Sequence, residues 1–206
     1  MPFISRAQNI IFPREFILCL DYSISMYAQT GHYQFQRDGH AAAIRDPEVA
    51  ARLLEPLTYV RVWLWAGEGE EREIHAAVLH GPEDIERLAR AIETGVPRRY
   101  SQNGLTLHSS VLRRVLASPI KGEDRIVDIS TDDPISTDYE KRACSDARRQ
   151  LWGMGTRVNV FVVGGMGHRA STLVHFVQTP GGITEHVFTW EDCAEGIKKK
   201  MRRELV

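Results

Sequence analysis

Three side-chain oxygen groups stand at alternate positions after an apolar run in the segment ILCLDYSISM, residues 17–26. They belong to Asp21, Ser23 and Ser25, and the run before them is typical of a strand buried on both faces. A carboxylate and two hydroxyls are hard oxygen donors, which suit Mg²⁺, Ca²⁺ or Mn²⁺. The alternative is a turn in which Asp and Ser cap a helix by hydrogen bonds alone. Residues elsewhere in the chain must decide between these two interpretations.

A second apolar strand, in DRIVDISTDDP, also ends in side chains that carry oxygen, with Asp132 and Asp133 after its last hydroxyl. Strand patterns alternate with helix patterns along the chain, which predicts one α/β domain with a largely parallel sheet. Ligands of such sheets bind outside the carboxyl ends of the strands. If the two strands are neighbours, Asp21 and Asp132 meet at one edge, where a cation between them would relieve their repulsion.

The helices and strands that must position these residues are separated by breaks in the hydrophobic pattern of the sequence. A helical segment at 33–55 is interrupted near Pro47, and the strands 59–66 and 72–80 form a hairpin whose second strand lies towards the sheet edge. Further helices are predicted over 81–95, 105–118, 138–155 and 191–206, a short helix followed by a turn over 170–182, and further strands over 124–131, 157–165 and 183–190. The domain is expected to span 15–206, after an N-terminal extension at 1–14.

Composition narrows the class of protein. The 206 residues are 43% hydrophobic and 26% charged with a net charge of −1, which is globular and does not favour nucleic acid or an anionic membrane as partner. The basic run KKKMRRE is interpreted as the solvated end of a helix. The widely spaced Cys19, Cys144 and Cys193 favour reduced thiols. No signal peptide or membrane span is visible, so a cytoplasmic location is expected.

The segment DYSIS resembles the D-x-S-x-S signature of the von Willebrand factor type A (vWA) domain, the first loop of its metal-ion-dependent adhesion site (MIDAS). That family adds a threonine from a second loop and an aspartate from a third, which match Thr106 in SQNGLTLHSS and Asp132 in IVDISTDDP. The resemblance implies a three-layer, doubly wound, Rossmann-like sheet, mostly parallel with one antiparallel edge strand. It implies as metal ligands Asp21, Ser23, Ser25, Thr106 and Asp132.

The chain further resembles a bacterial group of vWA-like proteins of unknown function. That group carries a helix similar to QRDGHAAAIRDP, a strand ending in EWAG where this chain has LWAG, and VSGDG where it has ISTDD. Three departures stand at the site. Ile24 and Asp133 replace glycines of the vWA pattern, and Asn103-Gly104 is all that remains of a glycine-rich approach to the threonine.

The resemblance implies a metal-dependent protein-binding module. A divalent cation, Mg²⁺ first and Mn²⁺ or Ca²⁺ as alternatives, would leave one coordination position to an Asp or Glu carboxylate of a protein partner. Three residues near the site have open assignments. Asp128 either orients the metal ligands by hydrogen bonds or is hydrogen-bonded to a neighbouring loop. Asp133 is either a metal ligand or a turn residue. His108 either faces an incoming partner group or is an ordinary histidine whose hydrogen bonds are satisfied.

Two alternatives to a binding module remain open. A metal-assisted hydrolase could use the same acids, with Asp133 or His108 as the general base. A scaffold with a vestigial metal site would bind through its helix faces instead. Other enzyme classes lack their motifs: the chain has no G-x-S-x-G elbow and no P-loop, and Ser23 stands where an aspartyl-phosphate enzyme needs a second acid. No catalytic residue is therefore predicted.

Overall fold

The computed structural model describes residues 11–28, 31–95, 106–164, 167–189 and 192–206. In these ranges the strands form a single sheet with the order β3-β2-β1-β4-β5-β6. Their bounds are β1 (Phe12–Asp21), β2 (Thr58–Trp65), β3 (Arg72–Val78), β4 (Gly122–Thr131), β5 (Arg157–Val163) and β6 (Thr184–Val187). Every neighbouring pair is parallel except β2 and β3. The prediction of a mostly parallel sheet with one antiparallel edge strand is confirmed.

Helices cover both faces of the sheet. They are α1 (Ile24–Ala28), α2 (His32–Arg45), α3 (Pro47–Leu54), α4 (Pro82–Thr94), α5 (His108–Ala117), α6 (Asp138–Gly153), α7 (Gly167–Phe176) and α8 (Cys193–Glu204). Buried side chains of α2, α3, α4 and α8 form one apolar cluster against the sheet, and those of α5, α6 and α7 form another on the opposite face. The predicted three-layer, doubly wound architecture is therefore confirmed.

Strand β1 lies in the interior of the sheet, which explains its apolar run from Phe16 to Leu20. Phe16, Leu18 and Leu20 face the α2 and α8 layer, whereas Ile17 and Cys19 face the opposite layer. Each of these side chains is fully buried. A strand with helices on both faces has no solvent side, so this run is apolar and charged residues lie on either side of it, with Asp21 directly after its last residue.

The predicted break in the first helical segment is confirmed and has a clear cause. Asp46 caps α3 by accepting hydrogen bonds from the backbone nitrogens of Glu48 (3.2 Å) and Val49 (3.3 Å), and Pro47 is the first residue of the helix. The same carboxylate accepts a hydrogen bond of 2.8 Å from Nη2 of Arg202. The cap of α3 is thereby connected to the C-terminal helix α8.

The structure differs from the predictions at both ends of the chain. Strand β1 begins at Phe12, so residues 12–14 belong to the sheet rather than to an extension, while residues 1–10 lie outside the described part of the chain. The basic run at the C-terminus is not uniformly solvated, because the Lys200 side chain is only 1% exposed. Its amino group donates hydrogen bonds to the carboxylates of Asp128 and Glu204.

The three cysteines are buried and unpaired, in agreement with the prediction of reduced thiols. Burial raises the pKa of the Cys193 thiol to about 12, which keeps that group protonated. Among the helices that the structure describes, none has the length and apolarity needed to cross a bilayer.

Candidate metal centre

The sheet order brings the two acidic strand ends together. Strands β1 and β4 are parallel neighbours, with Leu20 beside Ser130 at the end of their register. Asp21 ends β1, and Asp132 and Asp133 follow directly after β4. A carboxylate oxygen of each of these three acids lies within 4.8 Å of one from each of the others. The predicted meeting of Asp21 and Asp132 at one edge of the sheet is confirmed, and Asp133 joins them.

The first loop directs its hydroxyls towards these acids. Oδ1 of Asp21 accepts a hydrogen bond of 2.7 Å from the backbone nitrogen of Ser23, which fixes the turn that leads into α1. The hydroxyl oxygens of Ser23 and Ser25 are 2.9 Å apart. The Ser25 hydroxyl lies 2.9 Å from Oδ1 of Asp132 and 3.0 Å from Oδ2 of Asp133, so its single proton is shared between two carboxylates.

Thr131, the last residue of β4, connects the first and third loops. Its fully buried hydroxyl donates a hydrogen bond of 2.7 Å to Oδ2 of Asp21 and accepts one of 3.2 Å from the backbone nitrogen of Asp133. Sequence reasoning assigned Thr131 no role of its own. The available signal was its position directly before Asp132 at the end of an apolar strand.

Thr106 reaches the cluster from the second loop, as predicted, just before α5. Its hydroxyl donates a hydrogen bond of 2.5 Å to Oδ2 of Asp133. The next residue, Leu107, is held by a 2.9 Å hydrogen bond from its backbone nitrogen to the carbonyl oxygen of Ala66, directly after β2. The LWAG segment thus positions the threonine, while Asn103-Gly104 lies outside the described residues.

The electrostatics of the cluster favour a cation. The pKa of Asp21 is raised to about 8, first because the carboxyl is buried and second because Asp132 places a like charge beside it. Hydrogen bonds from Thr131 and Ser23 oppose this rise without cancelling it. A divalent cation among these oxygens would favour the ionised form again, because its charge offsets the repulsion and replaces the lost hydration.

The donor set fits a hard divalent cation. It comprises the carboxylates of Asp21, Asp132 and Asp133 and the hydroxyls of three further residues, Ser23, Ser25 and Thr106. Such all-oxygen sets suit Mg²⁺, Mn²⁺ and Ca²⁺, whereas zinc sites in proteins are usually built from thiolate and imidazole.

The structure corrects the assignments of two neighbouring residues. His108 does not face an incoming ligand, since it is fully buried with its ring centroid 5.1 Å from that of Trp65. Burial lowers the pKa of His108 to about 4, so its ring is neutral near pH 7. Asp128 neither supports the metal ligands nor bonds a neighbouring loop, because its carboxylate is paired with Lys200 of α8.

Ile24 is accommodated without backbone strain. It is the first residue of the short helix α1, and none of the described residues other than glycine has a positive φ. The glycine of the vWA pattern is therefore not needed at this position for backbone reasons. The Ile24 side chain is 40% exposed beside the acidic cluster, where it adds an apolar contact surface.

Fold and site together define a vWA fold with a MIDAS-type acidic cluster, and solved structures agree with the fold. Proximal thread matrix protein 1 of the mussel byssus, in a structure with a zinc-occupied MIDAS motif, gives a TM-score of 0.68 at 12% identity over 95% of this chain and 46% of that one. The pilus adhesin SpaC of Lactobacillus rhamnosus GG gives 0.68 at 10% identity over 96% of this chain and 31% of that one. This chain thus spans less than half the length of either protein.

An aerotolerance-related membrane protein of Bacteroides fragilis NCTC 9343 gives a TM-score of 0.62 at 14% identity over 92% of this chain and 98% of that one. No curated protein matches the sequence significantly. The model of one family, described as "Protein of unknown function (DUF1194)", matches residues 12–206, and the chain belongs to that family.

Proposed function

We propose that this protein is a metal-dependent protein-binding module. The cluster at the end of β1 and β4 holds a divalent cation, with Mg²⁺ as the first choice, and the cation binds an Asp or Glu side chain of a protein partner. The observation that carries the proposal is the approach of carboxylate oxygens of Asp21, Asp132 and Asp133 to within 4.8 Å of one another, beside three hydroxyls of the first and second loops. An all-oxygen set of this kind matches the preferences of Mg²⁺.

Each residue has a defined part in this proposal. The hydroxyl oxygens of Ser23 and Ser25 bind the cation directly, and Thr106 completes the hydroxyl set. Asp21 and Asp132 hold the cation directly or through bound water, which Mg²⁺ readily retains. The cation supplies the positive charge that attracts the partner's carboxylate.

The charge of the cluster explains why binding would depend on the metal. Without a cation, the carboxylates of Asp132 and Asp133 present negative charge to an acidic partner and repel it. With a cation in place, the same edge attracts a carboxylate. The exposed Ile24 beside it favours a partner that carries an apolar residue next to its acid.

A hydrolase using the same acids is less well supported. A general base must reach a metal-bound water, and His108 is fully buried with its ring against Trp65. The Asp133 carboxylate already accepts hydrogen bonds from the hydroxyls of Ser25 and Thr106. We therefore propose no catalytic role for these residues.

The proposal is tested by capture of synthetic peptides on the immobilised chain. One set carries a single Asp or Glu beside an apolar residue, and the matched set carries Asn or Gln instead. We expect capture of the acidic set alone, in Mg²⁺ and not in EDTA. The variant Asp132→Asn should lose capture, whereas Asp146→Asn, on the exposed surface of α6, should retain it. Equal capture of both sets, or undiminished capture in EDTA, would contradict the proposal.

A further inference from the structure

Asp133 occupies an unusual place in the cluster. The vWA pattern has a glycine at this position, and here one carboxylate oxygen contacts hydroxyls from two different loops. Oδ2 of Asp133 lies 2.5 Å from the hydroxyl of Thr106 and 3.0 Å from that of Ser25. These are the hydroxyls that flank the metal position in the proposed function, so Asp133 presents a carboxylate where a partner's acid would have to enter.

We propose that Asp133 is a built-in carboxylate ligand that closes the metal site against acidic partners until it is displaced. The inference rests on the proposed function and specifies how the same site is regulated. A partner's Asp or Glu and the Asp133 side chain offer the same functional group. They therefore compete for one coordination position.

Attachment to the loop gives Asp133 the advantage in this competition. Its backbone nitrogen donates a hydrogen bond to Thr131, which anchors the loop at the end of β4. A carboxylate held this way acts at an effective concentration on the order of millimolar or above, which a free partner must exceed. The apparent affinity for an acidic partner is the intrinsic affinity multiplied by the fraction of molecules in which Asp133 is displaced.

The charge balance leads to the same conclusion. Two ionised carboxylates neutralise a divalent cation, and Asp133 adds a third beside Asp21 and Asp132. A further carboxylate from a partner would bind an already anionic centre and be repelled. Binding by exchange with Asp133 avoids that repulsion. Exchange is feasible because Asp133 is partly exposed, whereas Asp21 is fully buried and fixed by Thr131.

The experiment uses the full chain and Mn²⁺ as the probe, since Mn²⁺ occupies similar oxygen sites and enhances the relaxation of its bound water. The variants are Asp133→Gly and Asp133→Asn, the second of which keeps the side-chain volume. Asp138→Asn is the matched control, because it removes one exposed charge at the start of α6 without touching the cluster. Circular dichroism establishes that each variant is folded.

We expect both Asp133 variants to bind Mn²⁺ about tenfold more weakly. Asp133→Gly should also show higher water relaxation, because a coordination position opens to solvent. Added acetate should reduce relaxation in Asp133→Gly and leave the wild type and Asp138→Asn unchanged. Identical Mn²⁺ affinity and relaxation in the wild type and Asp133→Gly would overturn the role of Asp133 alone. Absence of Mn²⁺ binding in the wild type and every variant would overturn both the inference and the proposed function.

Discussion

At the scale of single residues, the cluster depends on side chains that orient the carboxylates as much as on the carboxylates. Thr131 is the clearest case, because one hydroxyl binds Asp21 and also receives the backbone nitrogen of Asp133. A bond of this kind fixes the direction of a buried carboxylate before any cation arrives. Residues that orient metal ligands commonly change metal affinity by 10–100-fold when they are replaced.

The variant Thr131→Val removes this hydroxyl and keeps the shape of the side chain. We expect affinity for Mg²⁺ or Mn²⁺ to fall by about 10–100-fold, because Asp21 loses the bond that orients it. Calorimetric titration of the chelated variant measures the change.

The control is Thr156→Val, which removes another buried hydroxyl. The Thr156 hydroxyl has no hydrogen-bond partner in the part of the chain that the structure describes. Its replacement should leave metal affinity unchanged and stability equal or slightly higher. Equal metal affinity in Thr131→Val and the wild type would show that Thr131 does not orient the site.

Sequence reasoning recovers some of these residues and misplaces others for a physical reason. Asp21, Ser23 and Ser25 are visible because their spacing belongs to one short loop. Asp128 and His108 are not, because their environment is set by segments distant in the chain. Nothing local in VDIS indicates that Lys200, 72 residues later, supplies the partner of Asp128.

At the scale of elements, a buried ionic group fixes α8 against the sheet. Lys200 donates hydrogen bonds to Asp128 of β4 and to Glu204 one turn later in α8. Glu204 also accepts a 2.8 Å hydrogen bond from the side chain of Asn159 in β5. The helix therefore contacts the sheet through charges as well as through apolar packing.

Replacing Lys200 by methionine leaves two buried carboxylates without their cation. We expect Lys200→Met to lower the free energy of unfolding by about 3–5 kcal/mol, since breaking a buried ion pair strands an uncompensated charge. Lys199→Met is the control, because Lys199 is largely exposed and its pairing with Glu185 should contribute at most about 1 kcal/mol. Urea denaturation measures the stability of both variants. A similarly small loss of unfolding free energy in each would show that Lys200 does not fix α8 against the sheet.

The packing of α2 on the sheet predicts a pH dependence of stability. His40 is fully buried, its Nδ1 is 2.8 Å from the carbonyl oxygen of Gln36, and its ring meets Phe161 edge-on. Burial lowers the pKa of His40 from 6.5 to about 4. The hydrogen bond with Gln36 and the charge of Glu204 oppose this shift, whereas the charge of Lys200 adds to it. Between these pH values the unfolded chain binds a proton that the folded chain does not, so stability falls as pH falls.

The variant His40→Leu isolates this contribution. Burial also raises the pKa of Glu204, which acts in the opposite sense, but that group is present in both proteins and largely cancels in their difference. Between pH 6.5 and 4 we expect the wild type to lose up to about 1.4 kcal/mol more per pH unit than the variant. Parallel stability curves from urea denaturation over this range would contradict the assignment.

The elements themselves were largely predictable from the sequence. Apolar runs indicated the buried strands, and signals such as Asp46-Pro47 and Gly95 marked helix boundaries. Helix α1 was missed because its five residues are too few to show an amphipathic period. The N-terminal three residues of β1 were missed because Pro13 and Arg14 interrupt its apolar pattern.

At the scale of the whole molecule, the candidate site exists because of strand order. Asp21 and Asp132 are 111 positions apart in sequence, and they meet because β1 and β4 are adjacent parallel strands. Alternation of strands and helices predicts such a sheet, but it does not fix which strands are neighbours. The resemblance to vWA domains indicates that Asp21 and Asp132 belong to one site, and the strand order of the structure brings them together.

The central claim is that this edge of the sheet binds one divalent cation. Calorimetric titration of the chelated full chain with Mg²⁺, Mn²⁺ and Ca²⁺, beside Asp21→Ala and the exposed control Asp138→Asn, tests it most directly. We predict saturable one-site binding in the wild type and in Asp138→Asn, and its loss in a folded Asp21→Ala. Absence of binding in the folded wild type, or unchanged binding in Asp21→Ala, would contradict the claim.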